Sequence, residues 1–175
     1  MTAGTMSRFG LLFLALLLVG CGSKDEQKLT RVDQQPTEDI RARTEAIELT
    51  QPDKDGKPMF KIKASASLGS ASNGDGEVQF EEVEAVLYRD GQPTMEIKAD
   101  KATYDSKQKL LSTSGGVSAR SSVNDASIKA DRIDWRPDKD RLEATGNVKV
   151  IWRQMELTDH KIYADTAANE IWTAP

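Results

Sequence analysis

Few residues in this 175-residue chain are equipped for covalent or metal chemistry. There is one thiol, Cys21, and one imidazole, His160. A lone cysteine has no internal disulfide partner. His160 follows Asp159 in what reads as an exposed turn. A His–Asp pair does hydrolytic work only beside a nucleophile, and no Gly-x-Ser-x-Gly elbow is present. One His and one Cys fall short of the four ligands of a zinc site. Asp53-Lys54-Asp55-Gly56 lacks the alternating oxygen ligands of a calcium loop and reads as a plain turn. Asp100, Asp131 and Asp165 recur at equivalent places. Such recurrence suits either paired carboxylates or a repeated structural role, and the structural role at bulges or turns is favoured. No glycine loop of the phosphate-binding kind occurs. The chemistry points away from an enzyme, and no metal or cofactor is called for.

What Cys21 does have is its context. Arg8 is the only charge before an apolar run, Leu11–Val19. That run is shorter than the roughly 20 residues a membrane-spanning helix needs, and it has the length of a signal-peptide core. It is followed by Leu18-Val19-Gly20-Cys21, which resembles the lipobox of bacterial lipoproteins. That resemblance implies cleavage before Cys21 and attachment of a diacylglyceryl group to its sulfur. The expected organisation is a signal peptide at 1–20, a flexible tether at 21–43 and a folded domain at 44–175. A multi-chain lipid anchor holds a protein stably on a membrane, whereas one acyl chain is marginal.

The chain carries 24 basic and 28 acidic side chains, a net charge of −4. Losing Arg8 with the signal leaves the remainder near −5. A basic nucleic-acid footprint is therefore absent. Aromatics are only 6 %, which disfavours a large aromatic cofactor box. Residues 22–43 are polar and charged, as expected of a solvated tether. From Ala46 onward the pattern changes to period two. Phe60, Ile62, Ala64, Ala66 and Leu68 alternate with lysines and serines, as in a strand with one buried face. Turn signals separate such runs, at Pro52–Gly56, Ser72–Gly76, Arg89–Gly91, Ser114–Gly116, Pro137–Asp140 and Gly146-Asn147. Glu77–Tyr88 fits helical spacing at Phe80, Val83 and Leu87, but Val83, Ala85 and Leu87 alternate and favour a strand.

The chain also repeats itself. Ile97-Lys98-Ala99-Asp100 recurs as Ile128-Lys129-Ala130-Asp131 and as Ile162-Tyr163-Ala164-Asp165, with a degenerate first copy at Ile62–Ser65. Between the second and third copies Tyr104 matches Trp135, Leu111 matches Leu142, Gly115 matches Gly146 and Val117 matches Val148, without gaps. Such a period denotes one supersecondary unit used several times. Each unit contains a phase slip. Ile97 and Ala99 are odd-numbered while Ala102 and Tyr104 are even, and Ile128–Ala130 and Ile133–Trp135 switch in the opposite sense. A strict strand would turn half of these outward. The repair is a β-bulge or sharp bend at Asp100 and Asp131, which adds twist.

The order Ile-x-Ala-Asp, an aromatic four residues on, a turn, and Leu142-Glu143-Ala144-Thr145-Gly146-Asn147-Val148 resembles the OstA-type repeat of lipopolysaccharide-export proteins. The segments Asp55–Ala64, Glu77–Phe80 and Leu87–Gly91 are similar to the LptC component of that system, so the likeness spans about residues 44–173. The resemblance implies an all-β fold: a single twisted β-jellyroll of repeated antiparallel hairpins with bulges and an open apolar groove. It also implies a periplasmic carrier that accepts lipopolysaccharide from an inner-membrane ABC transporter. The carrier would pass this cargo along a β-jellyroll bridge by edge-strand pairing with a soluble LptA-like protein. LptC-like proteins usually keep a transmembrane helix; here a lipobox stands in its place, favouring a tethered, inner-membrane role over the free bridge. The inward candidates for a lipid groove are Phe60, Ile62, Val83, Leu87, Ile97, Tyr104, Val117, Ile128, Trp135, Leu142, Val148, Val150 and Ile162. Lys61, Lys63, Lys98 and Lys129 flank them, and either face solvent or rim the groove towards lipid phosphates. The alternative reading is a structural or adhesive envelope lipoprotein with a closed β-domain and no lipid cargo. The last strand, around Ile171, is the expected docking edge.

Overall fold

The computed structural model describes residues 41–72 and 75–173. The expected signal peptide, Cys21 and nearly all of the tether lie outside the described residues. No helix among those described is long and apolar enough to cross a membrane. The chain is a succession of antiparallel strands: β1 (Arg41–Pro52), β2 (Pro58–Ser72), β3 (Asp75–Arg89), β4 (Gln92–Asp105), β5 (Leu110–Ser121), β6 (Ala126–Arg136), β7 (Arg141–Trp152), β8 (Met155–Ala164) and β9 (Ile171–Thr173). Turns join them, and a 3₁₀ turn, Pro137–Lys139, is the one helical segment among the described residues. The nine strands form one sheet in strict sequence order, β1 to β9, and the two end strands do not pair with each other. Residues 41–43, expected in the tether, belong to β1. Glu77–Tyr88 lies within β3, as its alternation suggested.

The phase slips are a seam that crosses the sheet. In β4 the buried positions step from Ala99 to Ala102, and in β6 from Ala130 to Ile133. Opposite these steps the partner strands carry the extra residue: Gly115 and Gly116 in β5 face Asp100, and Gly146 and Asn147 in β7 face Asp131. All four have positive φ, between 46° and 81°. Ala46 in β1 and Glu82 in β3 continue the line with single positive-φ residues. The bulge thus sits on the strand opposite each aspartate rather than on it, because the glycine-rich strand accepts the left-handed conformation more readily. The aspartates hold the seam from beneath. A Cβ on Gly115 would lie 2.6 Å from Asp100 Oδ2, and one on Gly146 would lie 2.5 Å from Asp131 Oδ2. Asp131 also accepts a hydrogen bond from Asn147 Nδ2 at 2.8 Å.

Bent at this seam, the sheet rolls over its own apolar face. Arg89, at the end of β3, reaches Asp140 before β7 and Asp165 after β8, at 3.0 Å each. Those elements are far apart in strand order, so the contact closes one end of the roll.

Candidate functional site

Every inward candidate proposed from the sequence points into the roll. Of the thirteen, twelve are exposed by 2 % or less, and Tyr104 by 6 %. They join one apolar cluster that also includes Phe80, Met95, Leu111 and Ile133. Met95 was not singled out, although it alternates with Ile97 and shares its face. Three aromatics from alternate strands meet in the middle. Phe60 of β2 packs edge-on against Tyr104 of β4, with centroids 4.7 Å apart, and against Trp135 of β6 at 6.1 Å. Such pairs are each worth about 0.5–1.5 kcal/mol beyond the area they bury.

Beside this cluster the roll opens into a cleft of about 580 Å³. Met59, Tyr104 and Trp135 contribute apolar lining, and the turns before β2, β4, β5 and β7 form the rim. Lys54, Arg89 and Lys109 supply cationic groups there, and Asp53, Asp90, Asp138 and Asp140 acidic ones. The volume falls in the range of small-molecule sites. Burial raises the Tyr104 phenol above the usual tyrosine range, with the Asp105 carboxylate adding to the effect.

The flanking lysines lie elsewhere. Lys61 and Lys63 pair with Glu48, and Lys98 pairs with Glu84 at 2.6 Å, across neighbouring strands of the outer face. These hydrogen bonds and charges raise the pKa of Lys61 and Lys98 and lower those of Glu48 and Glu84. Lys129 is exposed on β6. The cations at the cleft come instead from two turns, at Lys54 and Lys109, and from Arg89 at the last position of β3, places where no period guides sequence reading.

The sheet has a free edge at each end of its order, β1 at one and, at the other, the short β9 together with the part of β8 that β9 leaves uncovered. β9 pairs only with Ile162–Ala164. Met155–Lys161 has no partner on its outer side among the described residues. Met155 lies opposite Trp152 and Leu157 opposite Val150, so both share the inner face, yet both are exposed. The groove's apolar wall therefore runs out to an open edge. His160 lies in this strand, not in a turn; it is exposed and faces the Gly146–Asn147 bulge. The recurring aspartates have structural partners: Asp100 and Asp131 under the bulges, and Asp165 in a turn where its Oδ1 accepts the N–H of Asn169 at 2.6 Å. Asp53 holds the β1–β2 turn by accepting the N–H groups of Asp55 and Lys57, both at 2.8 Å. Among the described residues no three His, Cys, Asp or Glu side chains are grouped to hold a metal.

A family described as "Lipopolysaccharide-assembly, LptC-related" matches residues 10–167. Among solved structures, the chain is similar to LptH of Pseudomonas aeruginosa, described as the LptA homologous periplasmic component of the conserved lipopolysaccharide transport device. The TM-score is 0.54 at 12 % identity, covering 65 % of this chain and 80 % of that one. At that identity the likeness shows the fold: an LptA-like β-jellyroll, left unclosed. None of the curated proteins matches the chain by sequence.

Proposed function

The chain belongs to the LptC-related lipopolysaccharide-assembly family, and we propose that within it this protein is the membrane-tethered periplasmic carrier. In this reading it accepts lipopolysaccharide from an inner-membrane ABC transporter and hands it to a soluble LptA-like bridge protein. One observation carries the proposal: an unclosed sheet whose apolar inner face leads both to a cleft beside Phe60, Tyr104 and Trp135 and to the open edge of β8. Transfer of acyl chain out of water is favourable by about 0.8 kcal/mol per methylene, so ten methylenes supply about 8 kcal/mol without any special motif. The free β8 edge offers backbone groups for strand addition, a recurring way for β-domains to dock. No side chain need react, and the thirteen inward residues serve as groove wall.

Cys21 remains the proposed anchor, placed where LptC-like proteins usually have a transmembrane helix. The family match begins at residue 10, immediately before the same apolar run. Mass spectrometry of the membrane-extracted protein should give an acylated peptide that starts at Cys21; an unmodified start ends the lipoprotein reading.

The competing picture, a closed β-domain without cargo, draws on the near-complete burial of the interior by its own side chains. Against it stands the sheet, which does not close. Photo-crosslinking decides between them. A benzophenone amino acid at Tyr104 or Trp135 should capture lipopolysaccharide in cells, and one at the outer-face residue Lys98 should not. Equal yields, or none at the interior positions, would remove the carrier function.

A further inference from the structure

The segment after β8 folds back into the molecule. It turns through residues 165–170 before returning as β9. Thr166, Ala167 and Ala168 in this turn are only 1, 4 and 0 % exposed. Connecting segments ordinarily run over the surface, where water serves their backbone. Here side chains from distant strands and from the bend between β5 and β6 replace the water. Trp135 Nε1 donates to Thr166 Oγ1 at 2.9 Å, and Ser121 Oγ and Asn124 Nδ2 each donate to the Ala167 carbonyl at 2.8 Å. Trp152 Nε1 donates to the Ala168 carbonyl at 3.1 Å. The stopper is made of small residues held by hydrogen bonds, which water can replace when it leaves. It sits against Trp135, and Thr166 itself lines the cleft. The strand that follows is short and covers only the last part of β8.

We propose that residues 165–173 form a self-inhibitory strap. β9 occupies the stretch of the β8 edge that an incoming strand needs once it passes Lys161, and residues 166–168 stop the end of the groove. A strand added along the whole of β8 takes the place of β9, the strap leaves with it, and the interior is uncovered beside Trp135. Docking and opening then become a single event. By linkage, whatever fills the interior favours the displaced strap just as a docked strand does. This inference rests on the carrier reading above and adds its control.

Tyr163 and Trp172 are directly paired and stack with centroids 6.1 Å apart. Directly paired strand residues lie within the Cα reach of a disulfide. The test uses the full chain carrying Tyr163→Cys and Trp172→Cys, oxidised or reduced, with Tyr163→Cys alone as control. Hydrogen exchange is followed with and without purified lipopolysaccharide. In the reduced protein, lipopolysaccharide should speed exchange across residues 165–173 at least tenfold and slow it in β6. Oxidation should abolish both responses. If the oxidised protein protects β6 as strongly as the reduced one, cargo enters with the strap locked and the strap is not a gate, while the carrier reading stands. If β6 is protected in neither form nor in the control, the carrier reading fails and takes the strap with it.

Discussion

Gly115 and Gly116 are adjacent in one bulge and have φ of 81° and 59°, yet their surroundings differ. A side chain on Gly116 meets nothing within 4 Å, whereas a Cβ on Gly115 runs into the Asp100 side chain. Gly116→Ala should therefore cost only the backbone term of a left-handed residue, about 1–2 kcal/mol. Gly115→Ala adds a collision with a side chain rooted in the next strand and should cost about 3 kcal/mol or more, in the large-effect class. Urea denaturation of the two variants checks the difference; equal midpoints would mean that Asp100 does not brace the bulge. Tyr104 gives a second test at this scale. Its phenol is held above the usual tyrosine range chiefly by burial, so the neutral form is the one the fold favours. Its contribution to stability is whole below the ordinary tyrosine pKa and is lost as pH rises through the elevated one. Alkaline titration at 295 nm should show amplitude on the high-pH side that Tyr104→Phe removes. These side chains were legible to different degrees. Period-two alternation exposed the thirteen inward positions, because alternation is the direct imprint of a half-buried strand. The positive φ of Ala46 and Glu82 left no imprint, since neither residue type marks a left-handed site.

At the scale of single elements, β8 is the strand on which the proposed docking depends. Along an edge strand, successive N–H groups point alternately into the sheet and away from it. Of Leu157 and Thr158, one therefore donates to β7 and the other to the open side. Pro at the outward position removes only a docking donor, whereas Pro at the inward one breaks the ladder. Comparing Leu157→Pro with Thr158→Pro, one variant should keep the thermal midpoint within a few degrees and lose capture of an LptA-like partner strand, while the other should unfold more easily. If the well-folded variant still docks at full strength, β8 is not the docking edge. The sequence pointed to Ile171 because it opens the last β-forming run along the chain, Ile171–Thr173. Sequence order locates the final strand but not its length, and β9 is too short to cover its neighbour. The repeat, by contrast, was readable down to its slips: a broken parity over Ile97–Tyr104 and Ile128–Trp135 leaves a bend as the only way to keep both halves inside.

For the whole molecule, the proposed carrier role asks a rolled but unclosed sheet to be stable as a roll and still admit cargo between layers that are already packed. Two kinds of contact close it. The aromatic meeting of Phe60 with Tyr104 and Trp135 is buried, so losing it by Phe60→Ala should cost about 3–5 kcal/mol. The clamp of Arg89 on Asp140 and Asp165 is part-exposed, so water and salt screen it, and its worth is about 1 kcal/mol or less. A closure made of one strong apolar contact and one weak ionic contact can loosen at its rim without coming apart at its centre. Arg89→Ala should therefore leave the denaturant slope unchanged and lower the thermal midpoint by only a few degrees. It should also raise the rate at which lipopolysaccharide reaches a crosslinker at Trp135, since Asp165 opens the strap and Arg89 ties that residue to β3. Raising ionic strength should mimic the substitution in the native protein and have little further effect on the variant, because a screened pair and a deleted pair end in the same state. If capture in the Arg89→Ala variant were slower than in the native protein, the clamp would be holding the groove in its receiving shape rather than holding it shut.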